Sequence, residues 1–350
     1  MQTSTETAGH RLLREVEESV HRRVVGQNET IQGLLIALLT GGHVLLEGLP
    51  GLAKTLLVRS LADALHTSFR RIQFTPDLLP GDVIGIPVYH QGTGEFRVYK
   101  GPIFANLLLA DEVNRAPPKV QSALLEAMEE EQVTIDGVTY PLPSPFLVLA
   151  TQNPIEQQGT YPLAEAQLDR FMVKLRIEYP SRAEEREILE RIALRPSDQP
   201  AADGAGVTRD AAGMPSAKNG ASSSEGLDES SGGQAILEAR TELDGVNVDR
   251  KVQDYIVSLV FATREPADAG LPELETLLEF GTSPRATIFL TRAARALAYL
   301  QGRDFVLPDD VKAVAHPVLR HRMRTTYEAD AKGIDADQLI DRLLDTVHSP

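Results

Sequence analysis

The segment His43–Leu56 constrains the fold of this chain more than any other part of its sequence. Its first residues, His43–Glu47, are mostly apolar and predict a buried strand, and a loop rich in glycine and proline follows. Lys54 and Thr55 then open a helical pattern. A strand, a glycine-rich loop and a helix in this order form a site for phosphate groups, because the N–H groups of the loop and of the helix N-terminus face the anion.

Three residues at the end of this loop decide how it would hold a nucleotide. In the usual pattern, a lysine in the position of Lys54 reaches the β- and γ-phosphates, and the hydroxyl of the next residue, Thr55, coordinates Mg²⁺. Ala53 precedes the lysine where glycine is common, so the backbone there must suit a residue with a Cβ atom. The alternative is a glycine-rich turn that carries Lys-Thr by chance, and the motifs further along the chain argue against it.

Length and composition exclude several classes of protein. The chain has 350 residues, enough for two domains with separate cores. Its net charge of -15 repels nucleic acid and disfavours it as the main partner. Because it contains no cysteine, it has no disulfide, thiolate metal site or cysteine nucleophile. Met1–Gly9 is polar, and no apolar stretch approaches the roughly 20 residues that span a bilayer, so we expect a cytoplasmic protein without a membrane span.

Hydrophobic patterning divides the chain into two regions. Residues 24–180 alternate short apolar runs with helical patterns, which is typical of a parallel sheet covered by helices on both faces. The predicted strands are His43–Glu47, Arg71–Phe74, Leu107–Asp111, Phe146–Thr151 and Met172–Ile177. In such sheets a nucleotide binds at the carboxyl ends of the strands, where the Lys54 loop and Asp111 are both expected to lie.

The second region, residues 181–350, carries helical patterns and predicts a small all-helical domain, while residues 1–23 predict a helical lead-in. The predicted helices are Arg182–Leu194, Val248–Thr263, Pro284–Leu300, Pro308–Leu319 and Ala336–Val347. Residues 196–234 consist almost entirely of small and polar residue types, which cannot bury enough apolar area to offset the entropy of ordering, so we predict a disordered insertion. It is either an expanded loop that the fold tolerates or a tether for a partner.

A second motif places two adjacent carboxylates at the end of a strand. The apolar run Leu107–Ala110 leads into Asp111 and Glu112. In the transfer of a phosphoryl group to water, one carboxylate orders the Mg²⁺ shell and another activates the attacking water. Asp111 suits the first role and Glu112 the second. A solvated strand end would explain the pair if it stood alone, but it follows the phosphate loop within the same region.

Three further residues are candidates for acting on the γ-phosphate. Asn153 follows a predicted strand and could bind both the attacking water and this phosphate, although Asn before Pro is also an ordinary turn signal. Arg170 is either an arginine finger, which neutralises charge on the γ-phosphate, or a partner of Asp169 or Glu165. Arg285 lies in the first turn of a predicted helix, where a cation opposes the macrodipole and needs a compensating anion such as a phosphate.

Taken together, these motifs resemble the AAA+ ATPases, and specifically the MoxR family. The resemblance covers nearly the whole chain apart from its N-terminal start and residues 196–234. The motifs that carry it are the phosphate loop, Val25–Gln27, Gly101–Asn106, Asp111–Lys119, Ala150–Pro154, Glu165–Phe171 and Ser283–Ala286. The resemblance implies an α/β fold, with a P-loop parallel-sheet AAA+ ATPase core followed by a small all-helical lid domain, and it implies ATP and Mg²⁺ as cofactors.

The resemblance also implies which residues bind the nucleotide and its metal ion. Gly48–Thr55 would be the Walker A motif and Leu107–Glu112 the Walker B motif, with Mg²⁺ bound by Thr55 and Asp111. The residues near the adenine would be Val25, Gly26 and Gln27. The remaining nucleotide contacts would come from Gly48, Leu49, Pro50, Gly51, Leu52, Ala53, Lys54, Thr55 and Leu56.

Catalytic roles follow from the same resemblance. Glu112 would activate the attacking water, with Lys54 on the phosphates and Asn153 as sensor 1. Arg170 would be the finger that acts on the neighbouring subunit's nucleotide. Arg285 would be sensor 2, which reports the γ-phosphate to the helical lid.

Two segments look like inserts that separate this branch of the AAA+ proteins from simpler ones. Asp77–Phe96 predicts a hairpin with its turn at Gly92–Gly94, and Gln132–Tyr140 predicts another that turns at Asp136-Gly137. By resemblance they would project towards a central pore or a substrate surface. The alternative is two ordinary surface hairpins.

By resemblance, the protein hydrolyses ATP to remodel or activate protein partners, as a chaperone does. It would act as a homo-oligomeric ring, a hexamer, on clients that include proteins with a von Willebrand factor A domain. One alternative is a DNA-associated AAA+ motor, against which the acidic composition counts. The other is an ATP-gated assembly scaffold with negligible turnover, for which Ala53 is the only support.

Overall fold

The computed structural model describes residues 7–49, 51–92, 94–153, 159–192 and 231–350. The first part of the chain forms a unit built on a parallel sheet, and the second forms a helical unit. The elements of the first unit are α1 (Ala8–Arg23), α2 (Asn28–Thr40), β1 (Val44–Gly48), α3 (Lys54–Ala64), β2 (Phe69–Gln73), α4 (Pro80–Ile84), β3 (Gly85–His90), β4 (Glu95–Lys100), β5 (Leu107–Asp111), α5 (Pro118–Glu130), β6 (Gln132–Ile135), β7 (Val138–Pro141), β8 (Leu147–Gln152), α6 (Glu165–Leu168) and β9 (Val173–Ile177).

The central sheet has five strands in the order β2-β5-β8-β1-β9, and every neighbouring pair is parallel. Alternate side chains enter two hydrophobic clusters, one on each face: Leu46 and Leu149 belong to one, and Leu45 and Val148 belong to the other. Burial on both faces explains why these strands read as continuous apolar runs rather than as an alternating pattern. All five predicted strands are confirmed, with end points that differ by no more than a residue or two.

Parallel pairing gives the sheet two chemically different edges. The register pairs Val44 with Val173 and Gly48 with Ile177, so β1 and β9 begin together and end together. A strand of this length spans about 16 Å at roughly 3.3 Å per residue. Loops that follow the strands therefore meet at the carboxyl edge, and segments that precede them meet at the opposite, amino edge.

Two hairpins extend from this unit, as the sequence predicted. β3 pairs with β4, and β6 pairs with β7 through a turn at Asp136 and Gly137, whose φ angles are 52° and 78°. Two successive positive φ angles match the turn that suits the twist of a two-residue hairpin. Thr93, at the tip of the first hairpin, lies outside the described residues. The β3–β4 hairpin exposes large apolar side chains, among them Tyr89, Phe96 and Tyr99.

The second unit contains α7 (Arg182–Ile192), α8 (Ser231–Leu243), α9 (Arg250–Ala262), β10 (Leu278–Phe280), α10 (Pro284–Leu300), α11 (Pro308–Leu319), β11 (Arg324–Thr325), α12 (Tyr327–Ala331) and α13 (Ala336–Thr346). The predicted helices are confirmed, and Pro284 and Pro308 each occupy the first position of a helix, where no N–H group is needed. The fold class is confirmed as well.

Two details of the second unit differ from the sequence-based prediction. β10 and β11 form a short antiparallel pair, so the unit is not purely helical, because two or three residues are too few to give a strand signal. Helix α8 starts at Ser231, so residues 231–234 of the predicted insertion are helical. The rest of that prediction, residues 196–230, lies outside the described residues.

The two units share one hydrophobic cluster and several polar contacts. Helix α10 packs on α2, α8 packs on α1 and α2, and α11 packs on β9. Arg176 on β9 pairs with Asp337 at the start of α13, and the Asp337 carboxylate also pairs with Arg320, at 3.0 Å. Arg176 lies 3.4 Å from Glu47, which precedes the phosphate loop. Within the described ranges, no helix is both long enough and apolar enough to cross a membrane.

His43 is a buried structural residue at the amino edge of the sheet. Its Nε2–H donates to the carbonyl of Met128 at 2.9 Å, and its Nδ1 accepts from the N–H of Val148 at 3.0 Å. Because Nδ1 accepts a hydrogen bond, the ring must be neutral. Burial lowers the pKa of His43 from 6.5 to about 4, although the bond to Met128 opposes the shift.

His43 should make the protein less stable as the pH falls from 6.5 towards 4. The unfolded chain binds a proton at His43 in this window and the folded chain does not, so the free energy of unfolding decreases by about 3 kcal/mol. Urea unfolding at pH 7 and pH 4.5 measures the slope, with His43→Gln as the comparison. Every other ionisable group is the same in both proteins, so the difference in slope reports His43. Equal slopes would show that His43 is not the group responsible.

Candidate functional site

The loop between β1 and α3 is the candidate phosphate-binding loop, and two of its described residues have positive φ angles. Gly51 and Ala53 have φ angles of 86° and 53°. A Cβ atom on Gly51 would meet no described atom within 4 Å, so its backbone angle, and not a lack of space, favours glycine there. Lys54 opens α3, and its Nζ donates to the carbonyl of Gly48 at 2.6 Å, which folds the lysine back over the loop. Pro50 lies outside the described residues.

Ala53 adopts the left-handed conformation that glycine would adopt without strain. This conformation costs an alanine about 1 to 2 kcal/mol, because the Cβ atom approaches the following carbonyl. Ala53 is also the N-cap of α3 and has no side chain that could cap the helix. The N–H groups of the first turn are therefore left to an anion from outside the helix. Ala53 thus occupies the position where glycine is common, at a cost in backbone strain.

Two carboxylates lie at the carboxyl edge beside this loop. Asp111 ends β5, and Glu112 follows with a φ angle of 57°. Thr151 on β8 links them: its hydroxyl donates to Asp111 Oδ1 at 2.6 Å and accepts the N–H of Glu112 at 2.8 Å. Arg71 also donates to Asp111 Oδ2, at 2.6 Å. These contacts fix the turn that separates the two carboxyl groups.

Glu112 is held at its carboxylate as well as at its backbone. Its Oε2 accepts from the side-chain amide of Gln73 at 2.8 Å and lies 3.0 Å from Nε of Arg115. Burial lowers the pKa of Lys54, and the charges of Asp111 and Glu112 oppose that shift. The ammonium and both carboxylates therefore belong to one electrostatic cluster, although Lys54 and Asp111 are far apart in the sequence.

Other predicted residues lie at the same edge. Asn153 is buried just after β8, and Thr55 is half-buried in the first turn of α3. Gly26 and Gln27 adopt successive left-handed conformations between α1 and α2, and the Gln27 amide donates to the carbonyl of Glu178 at 3.0 Å. This contact brings the turn to the carboxyl end of β9, so the candidate adenine residues share the edge that carries the phosphate loop.

These residues fit a nucleotide with a magnesium ion. An uncapped helix N-terminus and an ammonium suit phosphate oxygens, and a hydroxyl with a carboxylate suits Mg²⁺, which prefers oxygen ligands and keeps several waters. Thr55 and Asp111 are the residues that would hold the ion.

Arg170 and Arg285 form a second cluster with a shared glutamate. Nη2 of Arg170 lies 3.1 Å from Oε2 of Glu129, and Nη2 of Arg285 lies 2.5 Å from Oε1 of the same residue. Glu129 is at the end of α5. The anion that compensates Arg285 in the first turn of α10 is thus a carboxylate of the protein. Arg170 does not pair with Asp169 or Glu165, the two partners that the sequence offered for it. Asp169 pairs with Arg322 instead, and Glu165 pairs with Arg324.

The arginine cluster lies at the amino edge of the sheet. Arg170 comes just before Met172, whose N–H donates to the carbonyl of His43 at 2.8 Å, where β1 and β9 begin. Lys54 follows the opposite end of β1. The structure therefore brings Lys54, Asp111 and Glu112 together at one edge, and Arg170 and Arg285 together at the other.

Several residues of both clusters had no signal in the sequence. Thr151 occurs in an apolar strand, where threonine is an ordinary replacement for valine. Gln73 lies on an edge strand, and no nearby residue in the sequence indicates that its side chain binds Glu112. Glu129 is one of several acidic residues at the end of α5. Only the pairing of distant elements distinguishes these residues from their neighbours.

A five-stranded parallel sheet with a phosphate loop and paired carboxylates at its carboxyl edge, followed by a helical unit, defines the class of AAA+ ATPases. Residues 43–173 match the ATPase family associated with various cellular activities (AAA), and residues 274–343 match the AAA lid domain. Chaperone MoxR1 of Mycobacterium tuberculosis is 46% identical over 341 residues, which cover 97% of this chain and 83% of the relative. Protein MoxR of Paracoccus denitrificans is 33% identical over 359 residues, with 97% of each chain covered.

The crystal structure of a candidate ATPase from Cytophaga hutchinsonii superposes with a TM-score of 0.82 and 45% identity, and the match covers 98% of this chain and 96% of that chain. The chain belongs to the MoxR family of AAA+ ATPases.

Proposed function

We propose that this protein hydrolyses Mg-ATP at the interfaces of a homo-oligomeric ring, a hexamer, in which each site is completed by arginines of the neighbouring copy. The observation that carries the proposal is the separation of the two clusters on opposite edges of the sheet. Arg170 precedes β9 and pairs with Glu129 at the amino edge, whereas Lys54 follows β1 at the carboxyl edge. A head-to-tail ring joins two different surfaces of neighbouring copies, and we propose that these are the amino edge of one copy and the carboxyl edge of the next.

At the carboxyl edge, each residue has a separate task. Lys54 would leave the Gly48 carbonyl for the β- and γ-phosphates, and the first turn of α3 would bind phosphate oxygens through its N–H groups. Glu112 would accept a proton from the attacking water, once its carboxylate turns from Gln73 and Arg115 towards that water. Asn153 would orient the same water. Bound Mg²⁺ would neutralise charge on the β- and γ-phosphates.

At the amino edge, Glu129 would hold the two arginines until a neighbour docks. A γ-phosphate carries more negative charge than one carboxylate, so it would compete for Arg170 and Arg285 when the subunits assemble. Because both arginines would bind the γ-phosphate of another copy, its hydrolysis would release Arg170 and Arg285 together and change how the two copies dock. This is how we propose that ATP turnover drives conformational work.

We propose that this work remodels or activates protein clients, since the relative from Mycobacterium tuberculosis is named a chaperone. The β3–β4 hairpin is the candidate client surface, because Phe96 is 68% exposed and its ring lies 5.3 Å from that of Tyr89. Exposed aromatic residues are enriched at protein interfaces. Proteins with a von Willebrand factor A domain are the client class that we propose from the family resemblance.

Specific ATPase activity should rise with protein concentration, because single subunits lack complete sites. Phosphate release is measured for the wild type over a range of concentrations, with Lys54→Ala as the background. Double-stranded DNA added at the highest concentration should not stimulate the activity. No phosphate release above the Lys54→Ala background at any concentration would overturn the proposal in favour of a scaffold, and stimulation by DNA would favour a nucleic-acid motor.

A further inference from the structure

Arg322, which follows α11 in the helical unit, binds the segment that carries Arg170. Its side chain is only 1% exposed. Nε donates to Asp169 Oδ1 at 2.9 Å, Nη2 donates to the carbonyl of Asp169 at 3.0 Å and also to that of Phe171, and Nη1 donates to the carbonyl of Met172 at 3.2 Å. One guanidinium thus holds the backbone on both sides of Arg170.

Asp169 connects this guanidinium to the helix that carries Arg285. While Oδ1 accepts from Arg322, Oδ2 accepts from the hydroxyl of Ser283 at 2.8 Å. Ser283 is the N-cap of α10, and its hydroxyl accepts the N–H of Arg285 at 3.1 Å. A single carboxylate therefore joins the backbone of Arg170, the guanidinium of Arg322 and the first turn of the Arg285 helix.

The surroundings of Arg322 make this junction rigid. His321 Nε2 lies 2.9 Å from the same carbonyl of Phe171, and the guanidinium lies 4.8 Å from the centre of the Phe289 ring, on α10. Burial lowers the pKa of Arg322 to about 10, against the opposing effect of Asp169, so the group stays charged at neutral pH. A buried charge is costly unless it is paired and fully hydrogen-bonded. The charge of Arg322 meets both conditions.

A purely structural role would need only a contact between the two units, and the charges around Arg176 and Asp337 already provide one. The Arg322 junction differs because all its acceptors in the sheet unit lie within four consecutive residues, Asp169 to Met172, that include Arg170. Arginine is suited to this task, since its planar fork presents five donors in fixed directions.

We propose that Arg322 and Asp169 are positioning residues that set the spacing of Arg170 and Arg285, so that both arginines reach one nucleotide of the neighbouring subunit. The inference rests on the proposed function of these arginines. It adds that the helical unit and the segment from Asp169 to Met172, which carries Arg170, move as one body. The activity of a site would then depend on a buried pair in the next subunit that does not touch the nucleotide.

Arg322→Lys tests this inference. A lysine can still pair with Asp169 but cannot reach the carbonyls on both sides of Arg170. A displacement of about 1 Å in a catalytic group can reduce turnover roughly 100-fold, so we expect a loss of about that size in kcat, with the Kd for Mg-ATP changed by less than about twofold. The matched control is Arg303→Lys, because Arg303 also pairs with a buried carboxylate of the helical unit, Asp310, away from the arginine cluster. Its kcat should stay near that of the wild type.

Mixing two variants separates positioning from misfolding. Arg322→Lys keeps its own phosphate loop and Glu112, whereas Glu112→Gln keeps an intact arginine edge. In mixed rings, a Glu112→Gln subunit completes the site of an Arg322→Lys neighbour, and about a quarter of the interfaces have this arrangement. Activity should therefore rise about 25-fold above that of Arg322→Lys alone. If Arg322→Lys does not fold, Asp169→Asn replaces it in the same mixture.

Each outcome of this experiment decides the inference. A kcat within about twofold of the wild type, or a loss that the mixture does not rescue, would overturn the positioning role while the wild-type activity upheld the proposed function. An equal loss in Arg303→Lys would assign the effect to general loosening of the helical unit. An inactive wild type would overturn the proposed function, and this inference with it.

Discussion

Replacement of Arg170 by alanine should lower the ATP turnover number by about 10³- to 10⁵-fold, the range that arginine fingers contribute in phosphoryl transfer. The physical reason is that charge develops on the γ-phosphate in the transition state, where a guanidinium forms short, charge-assisted hydrogen bonds with it. In the isolated subunit this guanidinium pairs with Glu129, at 3.1 Å. The variant should bind Mg-ATP as the wild type does, because Arg170 lies at the edge opposite its own phosphate loop.

The measurement is phosphate release against protein concentration for the wild type and Arg170→Ala. Arg324→Ala is the matched control, since Arg324 is 58% exposed and pairs with Glu165 on the neighbouring helix α6. Its activity should stay close to that of the wild type. An Arg170→Ala activity within tenfold of the wild type, and independent of concentration, would mean that the Glu129 pair is structural. Sites shared between subunits would then have to be given up.

Glu112→Gln should bind Mg-ATP and fail to hydrolyse it, with a turnover number reduced by about 10²- to 10⁴-fold, the usual contribution of a general base. Glutamine has the shape of glutamate and keeps an oxygen that can accept from Gln73, so the turn at the end of β5 should survive. Its amide cannot take a proton from water at neutral pH.

Two measurements on the same protein check this second prediction. Calorimetric titration should give a Kd for Mg-ATP within a few-fold of that of the wild type, while phosphate release falls to the background. Lys54→Ala provides the contrast, because loss of the ammonium beside the phosphates should weaken binding itself. Hydrolysis by Glu112→Gln at the wild-type rate would show that Glu112 is not the base. Another group at the carboxyl edge would then accept the proton from the attacking water.

The carboxyl edge was predictable because its residues lie in local motifs. One strand ends in a glycine-rich loop and Lys-Thr, and another ends in Asp-Glu. Each of these patterns predicts its local structure from a few consecutive residues. Parallel pairing then requires that both loops meet at one edge. The partners that hold these groups could not be predicted in the same way. Thr151 binds both Asp111 and Glu112 only because β8 lies beside β5 in the sheet.

The amino edge shows the limit of local motifs more clearly. Arg170 and Arg285 were both candidates from the sequence, as two separate residues that would each act on a γ-phosphate. Their association through Glu129, and the junction of Arg322 with Asp169, join segments more than a hundred residues apart. Ion pairs of this kind depend on how α5, α10 and α11 pack around the start of β9, and packing of distant elements has no periodic signal in the chain.

The sequence by itself determined the class of fold, the positions of the main strands and helices and the candidate residues for binding phosphate, because hydrophobic periodicity and glycine-rich turns act over short distances along the chain. Only the tertiary structure decided that the two arginines share one glutamate on the edge opposite the phosphate loop. The reason is that two features set which ends of the elements come together: the direction of the parallel strands and the docking of the helical unit on β9. These long-range contacts depend on the buried surface as a whole and not on any short segment.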